Sequence, residues 1–308
     1  MSTYSIVGYD PNNGELGVAV HSRFLAVGAL VPWVMARVGA VATQAKTNMH
    51  YGVKVLQKLQ EGQDVNSVLA EVIQEDADYQ RRQIGILNAQ GRGAAFTGKA
   101  CLPWAGHRVG ATFCCQGNCL SGPDVLDAMA DTYTRTEGDL AYKLLQALEA
   151  AQYYGGDRRG QQSAALLVKG PKMQSIGNTD KLVDLRIDDH HQPVEELNRL
   201  LQLHRVVYSH NHCDRYFPFQ HYLERYLLGM LKQIGFYDRH FRSYVECRQA
   251  ILRFAEMHRF PEQEVFHNGS INGAVVDLIV SQYYDKEDKE NSIPPMANVK
   301  PEGFVSDF

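Results

Sequence analysis

Along the first 190 positions, apolar residues come as short dense runs, then as paired helical stripes, then as runs again. Residues 4–9 and 15–20 are the first two runs. The Asn12-Asn13-Gly14 link between them carries the Asn-Gly pair of a tight turn with positive φ, so the two runs read as a hairpin. Their apolar residues fall on adjacent as well as alternate positions, which predicts strands buried on both faces. Residues 25–31 and 38–45 predict two more strands, with Pro32 interrupting between them. Met49, Val53, Leu56 and Leu59 then recur at helical spacing up to Gly62, and Val65, Val68, Leu69, Val72 and Ile73 make an i, i+3, i+4, i+7, i+8 stripe. A second hairpin is predicted over 83–88 and 93–97 around Gln90-Gly91, followed by one strand over 107–116. A second helical pair carries Val125, Leu126, Met129 and Tyr133, then Leu140, Leu144, Leu145 and Leu148. Strands return at 162–168 and 182–187.

Helices arriving in pairs between antiparallel hairpins do not build a doubly wound parallel sheet, which needs single crossovers; they cover the outer faces of stacked sheets. Periodicity therefore predicts an α+β fold with two helical layers. The polar stretch Asp188-Asp189-His190-His191-Gln192-Pro193 marks a domain boundary, giving a first domain over 1–190. Stripes at Leu197, Leu200, Leu201 and His204, at Phe219, Tyr222, Leu223, Tyr226, Leu227 and Met230, and at Ile251, Phe254 and Ala255 predict a smaller, mainly helical domain over 191–285. The charged, proline-bearing segment 286–308 reads as a flexible tail.

Composition narrows the function classes. With 308 residues, two domains are expected, and a net charge of -4 offers no electrostatic basis for binding nucleic acid or an anionic membrane. No apolar run is long enough to span a bilayer, and the first residues lack a signal peptide's basic and apolar regions, so a cytoplasmic location is expected. Six cysteines are too scattered for a disulfide framework, and Cys114-Cys115 with Cys119 matches no usual zinc spacing. His210-Asn211-His212-Cys213-Asp214, with His204 and His221, is the one metal-like cluster; 210 and 212 share a face only on a strand and no well-spaced further ligand follows, so no metal is expected.

Two hydroxyl residues, Ser2 and Thr3, stand directly ahead of the first strand. If the residues before such a hydroxyl are removed, it shares its residue with a free α-amine of reference pKa about 7.7 to 8.0, so one residue supplies nucleophile and base. Ser2 is small enough for methionine removal to expose it, whereas Thr3 needs a further cut.

The chain resembles a bacterial family catalogued as domain of unknown function 1028, within the N-terminal-nucleophile (Ntn) hydrolases. The likeness covers roughly 3–168. It rests on Thr3-Tyr4-Ser5-Ile6-Val7, Gly39-Ala40-Val41-Ala42-Thr43-Gln44-Ala45, Arg82-Gln83-Ile84-Gly85-Ile86, Ala95-Phe96-Thr97-Gly98, Trp104-Ala105-Gly106-His107, Gln116-Gly117-Asn118 and Gly155-Gly156-Asp157-Arg158-Arg159-Gly160. The resemblance implies a four-layer αββα sandwich and an amidohydrolase of a small amide or peptide-like substrate, with the family threonine at Thr3, Ser2 as an extra residue, and no metal or organic cofactor. The alternative is a non-catalytic protein of the same fold that binds a small ligand or cell-wall fragment. Segments 184–197 and 269–279 resemble parts of a peptidoglycan-binding-like domain attached to this family. A homo-oligomer is expected.

Substrate contacts and oxyanion donors are sought among polar residues beside glycines at strand ends: Gln44, Asn48, Thr97, Gln116 and Asn118. His107 is a candidate acid or base. The Asp157-Arg158-Arg159 run has two readings, a clamp for a substrate carboxylate or a pair bracing its own loop. Arg23, Gln162 and Ser163 are candidates for supporting the nucleophile.

Overall fold

The computed structural model describes residues 2–174, 179–208, 216–219, 221–236 and 244–290. The chain divides into two compact units, Met1–Leu201 and Gln202–Phe308.

In the first unit, β1 (Thr3–Asp10) and β2 (Glu15–Ser22) form the expected hairpin, with Gly14 at φ 70° closing the turn. There follow β3 (Pro32–Met35), β4 (Gly39–Ala45), α1 (Met49–Gln60), α2 (Val65–Gln74), β5 (Arg82–Asn88), β6 (Gly93–Thr97), β7 (Gly106–Val109), β8 (Phe113–Asn118), α3 (Asp124–Arg135), α4 (Leu140–Tyr153), β9 (Ser163–Gln174), β10 (Thr179–Ile187) and α5 (Pro193–Tyr208). The fold is mixed α+β with antiparallel sheets. One sheet has the order β10-β9-β2-β1-β8-β7, the other β3-β4-β5-β6.

Three cores stack along one direction. Tyr4, Ile6, Ala19 and Leu166 of the six-stranded sheet pack against Leu126 and Met129 of α3 and Leu144 and Leu148 of α4. Val7, Val18, Val20 and Ala165 on its other face meet Val34, Ala40, Ala42 and Leu87 of the four-stranded sheet. Val41, Ile84 and Ile86 then face Val55, Leu59, Val68 and Val72 of α1 and α2. Both sheets are thus buried on two faces, the reason their strands read as continuous apolar runs.

Four details depart from the sequence reading. Residues 25–31 do not form a strand: Ala26 sits at φ 53° and a 3-10 turn spans Val27–Ala29, with Gly28 so close to Ala165 that a Cβ there would lie 2.6 Å from it. Pro32, read as an interruption, instead opens the edge strand β3, where its missing N–H costs no ladder bond. The strand over 107–116 is two, β7 and β8, joined where Gly110 donates to the Phe113 carbonyl. The inward face of α1 carries Tyr51, Gly52, Val55, Leu56 and Leu59, whereas Met49 and Val53 are exposed.

The boundary also lies further along the chain than the polar stretch suggested. Val194, Leu197 and Leu201 of α5 are buried in the first unit's core with Ile187, so segment 184–197 packs there. The second unit contains β11 (Tyr216–Pro218), α6 (His221–Gln233), α7 (Tyr244–Met257), α8 (Glu262–Val265), β12 (Phe266–His267), β13 (Ser270–Asn272) and α9 (Gly273–Glu290). Its own core gathers Leu227, Leu231, Ile251, Phe254, Ile271, Val276 and Ile279 around a sheet of order β11-β13-β12. α9 runs to Glu290, into the segment read as tail, and 291–308 lie outside the described residues.

Candidate active site at the head of the first strand

Strand β1 lies between β2 and β8, with Thr3 opposite Ser22 on one side and Asn118 on the other. Successive side chains point to opposite faces. Tyr4 and Ile6 enter the core shared with the helices and Val7 the core between the sheets. Thr3 and Ser5 therefore face the second sheet.

On that face a chain of amides joins the two sheets, its orientation set by backbone carbonyls that only accept. Gln83 Nε2 donates to the carbonyls of Gly106 (3.0 Å) and Gly117 (2.8 Å) and to Thr97 Oγ1 (2.9 Å), so Gln83 Oε1 is the acceptor. It receives Gln44 Nε2 and Asn118 Nδ2, both at 2.9 Å. Gln44 Nε2 also reaches the carbonyls of Thr3 (3.3 Å) and Gln116 (3.2 Å), leaving Gln44 Oε1 to accept from Ser5 at 2.6 Å. Ser5 Oγ in turn accepts from Gln116 Nε2 at 2.6 Å.

Two buried acceptors end this chain without a partner, Gln116 Oε1 and Asn118 Oδ1. Gln116 Oε1 is pressed onto Gly85, where a Cβ would lie 2.0 Å away, so the glycine is required for this close approach. The Asn118 amide nitrogen, an expected oxyanion donor, is held on Gln83. Thr97 receives Gln83 on its hydroxyl oxygen and lies 2.9 Å from His107 Nδ1, in hydrogen-bond contact with it. Burial, with Arg108 beside it, lowers the His107 pKa and favours the neutral ring.

The other side of the strand head is charged. Asp157, fully shielded at its carboxylate, accepts from the backbone N–H groups of Arg159 (2.9 Å) and Arg23 (3.1 Å) and from the Ser2 hydroxyl. Arg159 donates to the same Ser2 Oγ through Nε at 2.7 Å and through Nη2. Ser22 Oγ donates to the carbonyl of Ser2 and lies 3.2 Å from Thr3 Oγ1; with the Ser22 proton engaged, the Thr3 hydroxyl is the donor of the pair. Beneath Ser2, His21 stacks on Tyr4 with ring centroids 4.6 Å apart, and neither of its ring nitrogens has a hydrogen-bond partner.

Thr3, Gln44, Thr97, His107, Gln116 and Asn118 thus belong to one polar network, and Ser2, Arg23, Asp157 and Arg159 to an adjoining one. Gln162 holds the Arg23 guanidinium at 2.9 Å. Ser163 bonds the Phe24 carbonyl and Val27 N–H, bracing the loop after β2. Arg158 turns away to the Pro103 carbonyl at 2.7 Å. Asn48 caps α1 by accepting from the His50 N–H and lies with Asp76, apart from Thr3's partners. Ser5, Ser22 and Gln83 were missed. Ser22 ends β2 directly after His21 and Gln83 follows Arg82 at the start of β5, where polar residues are ordinary; the parity shared by positions 3 and 5 was the available signal for Ser5.

Among the described residues, no group of three or more His, Cys, Asp or Glu side chains could hold a metal ion, and the cluster 210–214 lies outside them. Burial pushes the Cys115 thiol up to about 12 and Cys114 higher still, so neither is a ready thiolate. No helix of the described residues is long and apolar enough to cross a membrane.

The model of the family of unknown function DUF1028 matches residues 3–197, and the chain belongs to that family. The crystal structure of protein SPO2555 from Silicibacter pomeroyi, assigned to the same family model, is similar at 31% identity and a TM-score of 0.62, over 67% of this chain and 87% of that one. No curated protein matches.

Proposed function

We propose that the first unit is an Ntn-type amidohydrolase of a small amide or peptide-like substrate, with Thr3 as nucleophile once the chain is cut between Ser2 and Thr3. Two stacked antiparallel sheets between helix pairs agree with the αββα sandwich of such hydrolases. The observation that carries the reading is Ser22: its hydroxyl donates to the Ser2 carbonyl while accepting from Thr3 Oγ1 at 3.2 Å, so one hydroxyl touches both the nucleophilic oxygen and the carbonyl attached to that residue's nitrogen. Ser2 is the weaker nucleophile candidate because its hydroxyl is tied to Asp157 and Arg159.

In the reaction, the freed Thr3 amine takes the Oγ1 proton as the oxygen adds to the substrate carbonyl. The carbon–nitrogen bond then breaks, the leaving amine takes that proton, and water hydrolyses the resulting ester. Ser22 Oγ is placed to donate to the developing oxyanion. For the second unit we propose an accessory, peptidoglycan-binding-like role, supported by the likeness of segment 269–279 alone.

A second reading, a non-catalytic binder of a small ligand or cell-wall fragment, is favoured by one feature: with Ser2 joined to it, the Thr3 nitrogen is an amide and not a base. Intact mass spectrometry of the native protein separates the two. Protein that begins at Thr3 is expected to hydrolyse amides, with Thr3→Ala lowering the rate by about 10³-fold or more and leaving the melting temperature nearly unchanged. Retention of Met1 in all molecules, or full activity in both Thr3→Ala and Ser2→Ala, sinks the hydrolase, whereas a chain that begins at Ser2 removes Thr3 as its nucleophile.

A further inference from the structure

The Ser2 side chain is completely enclosed, and every hydrogen-bonding capacity of its hydroxyl is used. A hydroxyl has one proton and two lone pairs. Here the proton goes to Asp157 Oδ2, and the oxygen receives Arg159 Nε at 2.7 Å and Arg159 Nη2. The two charged partners are themselves fixed. Asp157 is held by the backbone N–H groups of Arg23 and Arg159, and Arg159 Nη2 also reaches the Arg23 carbonyl at 3.3 Å.

Such a pair discriminates by charge as well as shape. A carboxylate in this place would meet Asp157, an ammonium would meet Arg159, and a methyl would leave both charges without their shared partner. A neutral hydroxyl satisfies both. The run that the sequence left open between a carboxylate clamp and a self-braced loop is therefore neither: Arg158 braces, and Arg159 with Asp157 reads a hydroxyl.

Position gives this small site its meaning. Ser2 supplies the carbonyl bonded to the Thr3 nitrogen, and Ser22 donates to that carbonyl oxygen. Resting on the hydrolase reading above, we infer that Asp157 and Arg159 form the acyl-side specificity pocket, occupied in the uncut chain by Ser2, and that the substrate is an amide whose acyl group carries a neutral hydroxyl on its β-carbon, as a seryl amide does. Removal of residues 1 and 2 opens the pocket and frees the Thr3 amine in one event.

The test uses the full chain beginning at Thr3 with N-acetyl-L-seryl, L-alanyl, L-aspartyl and L-lysyl p-nitroanilides. The seryl compound is expected to exceed the alanyl one at least tenfold in kcat/KM, with the two charged compounds lower still. Arg159→Met is expected to bring the seryl-to-alanyl ratio within about twofold. Equal rates on seryl and alanyl substrates, or an aspartyl preference, overturn the pocket while leaving the hydrolase standing. If no amide is turned over, calorimetric titration with N-acetyl-L-serinamide and N-acetyl-L-alaninamide decides: tenfold selective binding of the serinamide keeps the pocket and removes the hydrolase, and equal or absent binding removes both. The wild-type comparisons stand even if Arg159→Met does not fold.

Discussion

Two of the aspartate–arginine pairs in the first unit, Asp76–Arg82 and Asp157–Arg159, direct their hydrogen bonds differently. In the first, Arg82 Nε meets Asp76 Oδ2 at 2.8 Å with Nη2 on Oδ1 at 3.4 Å, and the two side chains are only 10% and 13% exposed. Asp76 further receives Tyr51, Asn48 and the Asp78 backbone, and Arg82 reaches the Lys46 carbonyl. These groups lie where β4 leads into α1 and where α2 leads into β5. In the second pair the closest approach is 3.6 Å, and both partners turn instead to the hydroxyl of Ser2. A brace closes on itself, whereas the pair proposed above to read a hydroxyl holds its charges apart on a third group.

Breaking the brace is expected to have the largest effect. Asp76→Ala leaves Arg82 buried without its partner and is expected to lower stability by about 3 to 5 kcal/mol in urea unfolding. A loss below about 1 kcal/mol would show that the geometry misleads. Acid should have the same origin of effect. Burial alone would raise the Asp76 carboxyl, but the bonds from Arg82, Asp78, Tyr51 and Asn48 hold it well below the usual carboxylate range. Its stabilisation is therefore present above the unfolded value of 3.8 and lost as pH falls below it, and Asp76→Ala is expected to flatten that acid limb.

The strand head beside Asp157 has its own pH signature, in a different window. Burial lowers the His21 pKa from 6.5 to about 4, against the opposing pull of Asp157. Between those values the unfolded chain binds a proton that the folded ring refuses, so stability falls as pH drops from about 6.5 to 4. The full cost is about 3 kcal/mol at one pKa unit per 1.36 kcal/mol. Subtracting the unfolding free energies of His21→Leu from those of the wild type across pH 4 to 7 isolates this loss. A flat difference curve would mean that His21 finds a partner in solution.

The smallest effect on stability is expected at Arg159. Its side chain is 42% exposed and its ion pair with Asp157 is long, so Arg159→Met should cost no more than about 1 kcal/mol in urea. A loss equal to that of Asp76→Ala would erase the distinction between the pairs and make Arg159 a brace as well.

Much of this was legible beforehand. The order of runs and stripes predicted the hairpins and the helix pairs, because burial on a strand or helix imposes a period on the sequence itself. The same pattern misled where a local feature overruled it. Gly110 turned one predicted strand into two, and the α1 stripe was rotated because Tyr51 and Val55, not Met49 and Val53, face the sheet. The site was legible as separate stretches, and within them the Arg158 and Arg159 roles were not separable, since adjacent guanidinium groups differ only in what lies opposite each.

The sequence by itself determined the α+β class, the placement of Thr3 at the head of an apolar strand, and the parity that sends Thr3 and Ser5 to one face. Tertiary structure alone decided what those faces meet. Pairing β1 between β2 and β8 sets Ser22 and Asn118 beside Thr3, and the loop ahead of β9 brings Asp157 onto Ser2 across 155 positions. Periodicity records only whether a side chain is buried. Whether it donates, accepts or goes unpaired depends on groups contributed by distant segments, and those are fixed only when the sheets stack.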